Sequence, residues 1–239
     1  MGTTASCRPG RSRPVNTDKL LSYDLPLFRG ISAADLDPLD LGWSEQSFNA
    51  GQSIFGQEDD SHDVYFLLSG ALLAVYWAED GREIVFTRFP IGSMLGELSA
   101  FDNKPRSLAA YAKAPTRVLH LPQSAFLTLV DKIPEVRSRV INDLVARIRT
   151  LTEKTQELTT YSIEQRVCSY LIRLAIQCDC LKPGALIEGA PTHAEIAASI
   201  GANREMVSRT MTRLTKRGAV RSARQKIEIR DPDMLSEVL

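Results

Sequence analysis

Up to about Val130, short apolar stretches alternate with turn residues. Ser53 to Phe55, Asp63 to Leu68, Ala71 to Trp77, Glu83 to Phe89 and Ala109 to Leu121 are separated by Gly51, Gly56, Ser69-Gly70, Pro90 and Gly92. Stretches recurring every 8–12 residues or so predict an antiparallel sandwich or β-roll rather than βαβ units. Asp80-Gly81 between two apolar runs predicts a hairpin, because glycine tolerates the positive φ of the turn. Within this half, helical spacing is confined to Ser32 to Leu41.

From Pro122 the period changes. Beyond Pro134, a residue suited to the first turn of a helix, apolar side chains fall at Val136, Val140, Leu144, Ile148, Leu151, Thr155 and Leu158. The 27 residues from Pro134 to Thr160 make one long helix, more than twice the usual length of about 11–12 residues. Its seam could lie on its own domain or pair with a second copy, and coiled-coil-like spacing over this length favours a homodimer. A second helix, Ile163 to Cys178, follows a break at Tyr161-Ser162 and is closed off by Lys182-Pro183-Gly184. Next come Thr192 to Ile200, the turn Gly201-Ala202, and Asn203 to Arg217. Thr192 with Glu195 is a capping box, and Asn203 is a good N-cap. Ala219 to Ile229 alternates as a β-hairpin, so the whole reads as a winged helix-turn-helix.

Composition adds constraints. With 239 residues, 44% hydrophobic and 24% charged, the chain has room for one large or two modest soluble domains. No apolar run approaches the ~18 residues of a membrane span, and the Arg- and Pro-containing start is no secretory signal. A cytoplasmic protein with a disordered arm over residues 1–17 is expected. The net charge is zero, yet Asp18 to Lys132 holds 16 acidic and 9 basic residues, whereas Tyr161 to Arg230 holds 12 basic and 6 acidic. An acidic first half and a basic second half suit a sensor joined to a reader of nucleic acid. Cys7, Cys168, Cys178 and Cys180 form neither a disulfide framework nor a zinc spacing, and Cys178, Cys180 and His193 fit no recurring ligand geometry. No metal is expected. His62 and His120 read as isolated loop or core histidines. The sequence shows no Ser-His-Asp set, HExxH or P-loop, so no catalytic residue is assigned and no enzyme is expected.

Two constellations carry chemistry. On the second helix of the helix-turn-helix, Asn203, Arg204, Glu205, Ser208 and Arg209 stand where a recognition helix meets base edges, leaving Met206, Val207 and Met211 for the core. Arg can bond guanine O6 and N7, and Glu can accept from cytosine N4, which suggests reading of G·C pairs. Arg213, Lys216, Arg217, Arg221, Arg224 and Lys226 would serve phosphates. In the β-rich half, Gly96-Glu97-Leu98-Ser99 and Pro105-Arg106-Ser107 combine a close-approach glycine, a cation and a hydroxyl, the parts a small ring phosphate needs. Glu97 could accept from a ribose 2′-hydroxyl.

GELSAFDNKPRS resembles the phosphate-binding cassette of cyclic-nucleotide-binding domains. With the long helix and TxxEIAxxIGxxRExVSR (Thr192 to Arg209), the chain from about residue 20 to 231 resembles the bacterial cyclic-AMP receptor protein and fumarate-nitrate reduction regulator family of transcription factors. The fold so implied is α+β: a jelly-roll-like antiparallel β-roll over 18–133, a dimerisation helix over 134–161 and a winged helix-turn-helix over 162–239. The resemblance implies that Gly96, Leu98 and Ser107 contact the cyclic phosphate, that Arg106 is its cation and that Glu97 holds the ribose. It places Arg147 near Glu97, and Thr87, Leu151 and Thr152 near the purine, with Leu151 standing where a polar residue is usual. Cyclic AMP is the first expectation for the effector and cyclic GMP the second. TGTGA-like half-sites in double-stranded DNA and RNA polymerase are the expected partners. A same-family regulator that works without a nucleotide, or that senses another signal, is the alternative. Glu58 replaces the usual glycine of the turn after Ile54-Phe55.

Overall fold

The computed structural model describes residues 12–79 and 83–239. They form two compact units, one up to Ala146 and one from Arg147, and each is described by itself. The first opens with β1 (Arg13–Pro14) and α1 (Thr17–Leu21), whose Asn16 side chain caps the Lys19 amide. The expected disordered arm is therefore cut back, since Arg13 and Pro14 pair with Glu45 and Ser44; residues 1–11 lie outside the described residues. Then follow α2 (Ala33–Leu36), β2 (Ser44–Phe48), β3 (Ser53–Phe55), β4 (Val64–Ser69), β5 (Leu72–Trp77), β6 (Glu83–Phe89), β7 (Met94–Leu95), α3 (Glu97–Asp102), β8 (Ala109–Ala112), β9 (Thr116–Leu121) and α4 (Gln123–Lys132).

Two antiparallel sheets result, β1-β2-β9-β4-β7 and β3-β8-β5-β6. Side-chain alternation along each strand sorts the core into layers. Tyr65 and Leu67 of β4 and Val118 of β9 meet Ile54, Leu72, Ala110 and Ala112 of the other sheet. Their neighbours Val64, Phe66, Leu119 and Leu121 face the opposite way, onto α1, α2, α4 and the start of the long helix. The first sheet is thus buried on both faces, which is why β4 reads as a continuous apolar run. Phe28 meets Trp43 and Phe66 edge to face in this second layer, and Trp43 and Phe66 lie tilted to each other, with ring centroids 5.4 to 6.1 Å apart. β5 and β6 pair antiparallel as the hairpin reading requires, while Asp80 and Gly81 of its turn lie outside the described residues.

α5 (Pro134–Thr160) begins in this unit. Val136 and Val140 are buried in its core, so the first two positions of the seam belong to the domain itself. Farther along, Ile141, Val145, Ile148, Leu151 and Leu158 are 43 to 61% exposed. Periodicity shows an apolar stripe but not what covers it, and here the domain core covers only its first positions.

The second unit holds the rest of α5, α6 (Ile163–Gln177), β10 (Ala185–Glu188), α7 (His193–Ile200), α8 (Arg204–Arg217), β11 (Val220–Ala223), β12 (Lys226–Ile229) and α9 (Pro232–Ser236). Ser162 and Gln165 form a capping box on α6, and Thr192 and Glu195 form the expected one on α7. Asn203 stands at the N-cap of α8, yet its side chain makes no capping bond. The wing has three strands, since β10 pairs with β12 beside the expected hairpin. Val167, Leu171, Ile196, Val207, Met211, Leu214 and Leu235 share one core. Met206, expected inside, is 42% exposed. It precedes Val207 on the helix, and the buried stripe runs through Val207, Thr210, Met211 and Leu214, at steps of three, one and three.

The last turns of α5 are fixed to this scaffold. Glu157 accepts from Ser169 (2.8 Å) and forms an ion pair with Arg173, both on α6. A Cβ on Gly201, whose φ is +61°, would lie 3.0 Å from Leu158 Cδ2. Among the described residues no helix is long and apolar enough to cross a membrane.

Candidate functional site

The cassette is built around a buried arginine. Arg106 is 2% exposed, with its guanidinium stacked 4.3 Å above the Phe55 ring centroid. Nε donates to Ser61 Oγ (3.0 Å), Nη1 to the Gly96 carbonyl (2.7 Å) and Nη2 to the Asp63 carbonyl (2.7 Å). Its backbone is clamped as well, donating to the Asp59 carbonyl and accepting from the Glu58 amide. Glu58 does this at φ +64°, a conformation that glycine adopts more readily, which explains the glycine usual at this turn. Burial pulls the Arg106 pKa down, opposed by the nearby Tyr65, Asp63, Glu97 and Asp59. Nη1 and Nη2 each carry a second N–H beyond the bonds they make, and two such donors on one guanidinium are what bidentate recognition of an oxyanion requires.

Gly96 is needed for this arrangement. It sits at φ +89°, and a Cβ there would come within 2.6 Å of Arg106 Nη1 and 2.7 Å of the Asp63 carbonyl. It caps α3, whose first residue, Glu97, is 3% exposed; Leu98 is 53% exposed, and Ser107 is exposed at the other end of the cassette. Thr87 is exposed on β6, opposite Ala74 of β5. Five of the expected ligands, Gly96, Glu97, Leu98, Arg106 and Ser107, thus lie on one short segment, with Thr87 elsewhere in the same unit. Arg147, Leu151 and Thr152 belong to the other unit, on α5. Thr152 donates to the Ile148 carbonyl, and Leu151 is 53% exposed.

His120 is not isolated, contrary to the reading of its sequence surroundings. Nε2 lies 2.9 Å from Asp63 Oδ2, Nδ1 lies 3.2 Å from Ser44 Oγ, and the ring packs against Tyr65. A Ser-His-Asp chain is therefore present although the sequence showed none. The carboxylate meets Nε2 and the serine Nδ1, and Asp63 is also tied to α4. Contacts between residues 57 and 76 positions apart leave no mark on local sequence pattern.

On the basic side, α7, the turn and α8 present Arg204, Glu205 and Arg209 to solvent, with Lys216 exposed farther along. Ser208 is instead half-buried, 2.8 Å from His193 Nδ1, and so ties α8 to the first residue of α7. Arg213 and Arg217 reach back to Glu164 of α6 at 2.8 and 3.3 Å, and Lys226 pairs with Glu188 of the wing. These cations brace the scaffold as well as charging its surface. Arg166, unnoticed in the sequence, donates to the carbonyls of Ile200 and Gly201 and closes the C-terminus of α7 at the turn. Cys178 is exposed and the Cys180 thiol donates to the Cys178 carbonyl, while His193 is engaged with Ser208.

Residues 45–132 match the family model of the cyclic nucleotide-binding domain, and residues 165–238 match that of the Crp-like helix-turn-helix domain. The chain is 26% identical to the CRP-like cAMP-activated global transcriptional regulator of Mycobacterium tuberculosis, over 88% of this chain and 94% of that protein. It is 29% identical to the cyclic AMP receptor protein of Thermus thermophilus, over 89% of this chain and 96% of that one. The fold is similar to that of a CooA mutant from Carboxydothermus hydrogenoformans, with a TM-score of 0.73 over 97% of both chains at 18% identity. A β-roll with a nucleotide cassette, followed by a winged helix-turn-helix, defines a DNA-binding transcription regulator rather than an enzyme. The chain belongs to the CRP/FNR family of transcription factors.

Proposed function

We propose that this regulator is a homodimer that binds a cyclic nucleotide, cyclic AMP before cyclic GMP, and thereby tightens its grip on a pseudo-palindrome of TGTGA-like half-sites. The observation that carries the reading is the Arg106 cradle: a charged guanidinium held rigidly beside Gly96 and Glu97 has two N–H groups left for a phosphate. The two relatives named for cyclic AMP support the choice of nucleotide. The ribose would meet Glu97, the phosphate Gly96, Leu98, Arg106 and Ser107, and the purine Thr87. The exposed stripe Ile148, Leu151 and Leu158 supports pairing of two copies along α5. Two recognition helices so paired must fit major grooves one turn apart, about 34 Å.

Titration calorimetry with cyclic AMP and cyclic GMP, followed by gel shift with and without ligand, tests the proposal. Binding of either nucleotide and a matched gain in DNA affinity are expected, and DNA must tighten nucleotide binding by the same factor. No binding by either nucleotide, or DNA affinity indifferent to it, sinks the switch. Arg204→Ala is expected to weaken binding of the cognate site by about 1–3 kcal/mol and to relax selection at one base pair. Selection from a randomised half-site reads that out directly.

One observation favours a second reading, a regulator that works without a nucleotide. Three of the five Arg106 N–H groups are already satisfied by the protein, so the arginine has a structural task of its own. Calorimetry separates the two.

A further inference from the structure

Asp63 closes the loop that wraps Arg106 and enters β4, and it is tied at three points. Its carbonyl accepts from Arg106 Nη2 at 2.7 Å. Oδ1 accepts from the Gln123 amide at 3.0 Å, at the start of α4, and Oδ2 lies 2.9 Å from His120 Nε2 on β9. Gln123 then donates from Nε2 to the Ala100 carbonyl (3.0 Å) and to Asn103 Oδ1 (2.6 Å), at the end of α3. The carboxylate therefore reaches the end of α3, within the cassette, through Gln123 of α4, while the carbonyl of the same residue holds the arginine beside Gly96. The His120 bond and the Gln123 amide keep the Asp63 carboxyl below its ordinary pKa, so it is an acceptor on both oxygens at neutral pH.

We propose that Asp63 and His120 are positioning residues for nucleotide binding, which together fix the direction of Arg106 beside Gly96 and, through Gln123, the end of α3 within the Gly96–Ser107 segment. The inference rests on the reading that this cassette takes a cyclic nucleotide. An arginine side chain is costly to immobilise, and a binding site gains affinity when that ordering precedes the ligand. The two side-chain bonds of Asp63 set the orientation of its carbonyl, and the His120 ring, braced by Ser44 and Tyr65, sets the orientation of the carboxylate. Neither residue need touch the nucleotide.

The test is calorimetric titration of the full-length protein with cyclic AMP, at a temperature well below the melting point of each variant. Asp63→Ala and His120→Leu are expected to weaken binding about tenfold, because Arg106 must then be ordered by the ligand. His120→Gln, which restores a donor to Asp63, is expected to recover most of that loss. A purely structural pair would lower the melting temperature and leave the dissociation constant of the folded protein unchanged, which overturns the proposal. If Asp63→Ala does not fold, the His120→Leu and His120→Gln pair decides. Hydrogen exchange of residues 96–107 in nucleotide-free protein gives an independent readout. Faster exchange in His120→Leu and wild-type rates in His120→Gln support the proposal, and equal rates in all three overturn it. A wild-type protein that binds no cyclic nucleotide defeats the functional reading instead, and the exchange rates still show whether the pair orders the cassette.

Discussion

Arg106→Ala is expected to abolish ligand-dependent DNA binding while leaving a folded, less stable protein. On the ligand side, two charge-assisted bonds to the phosphate disappear. At about 1.5 kcal/mol or more each, they are worth more than a hundredfold in affinity. On the protein side, the Gly96 and Asp63 carbonyls and Ser61 Oγ lose their donor, and Phe55 loses its stacked cation. Acceptors left unsatisfied cost about 1–3 kcal/mol each where water cannot replace the donor, so a drop of about 3 kcal/mol in unfolding free energy is expected by urea titration. Arg106→Lys is the informative companion, because a single ammonium on a flexible stem cannot serve three divergent acceptors and an oxyanion together. It should recover part of the stability and little of the nucleotide affinity. If Arg106→Ala and wild type instead bind DNA equally and neither responds to added nucleotide, the arginine is structural only and the regulator is constitutive.

Gly70→Ala is expected to be the most destabilising single methyl addition in the β-roll. Gly70 turns the chain from β4 in one sheet to β5 in the other, and it does so against the corner at Ala114 to Thr116, where the chain passes from β8 back to β9. A Cβ at φ +96° would lie 2.4 Å from the Pro115 carbonyl oxygen, 2.5 Å from Thr116 Oγ1 and 2.6 Å from Thr116 Cα. Two of these are backbone atoms, and the third is held by bonds with Ala71 and Ala114, so nothing nearby can swing aside. The left-handed conformation costs about 1–2 kcal/mol with a side chain present, and overpacking adds about 1–3 kcal/mol, giving about 3 kcal/mol in all. Gly30→Ala is the control: φ is +73° but a Cβ would meet nothing within 4 Å, so only the conformational part, about 1 kcal/mol, should be lost. Equal losses in the two variants would show that crowding at the corner is not the cause.

Much of this molecule is legible from local pattern. The turn-punctuated strands, the 27-residue helix, the capping box at Thr192 and the recognition helix all depend on neighbours within a few positions, and each forms where its pattern indicates. What pattern does not reveal depends on partners far away. The short strand β2, SEQSF, carries little apolar signal because only Gln46 and Phe48 turn inward. α4 buries only Phe126 and Leu129, too few for its period to stand out. The cassette could be read from Gly96, Glu97, Arg106 and Ser107 in order, but the residues that orient it could not. Asp63 looks like the polar start of a strand, and His120 like one member of an alternating one, until the fold sets them 2.9 Å apart. Arg213 and Arg217 show the converse. Their spacing on α8 suggests free phosphate ligands, and only the packing of α6 beside α8 reveals Glu164 between them.

The fastening of the α5 end has a mechanical consequence. Leu158 seats against the bare Cα of Gly201, Glu157 grips Arg173 and Ser169, and Arg166 holds the Ile200 and Gly201 carbonyls. These contacts couple the joint: the last turns of α5 bear directly on the scaffold that carries the turn from which Arg204 and Glu205 project. A side chain at position 201 would act as a shim in that joint, pressing on Leu158 and displacing the turn without touching any residue of α8.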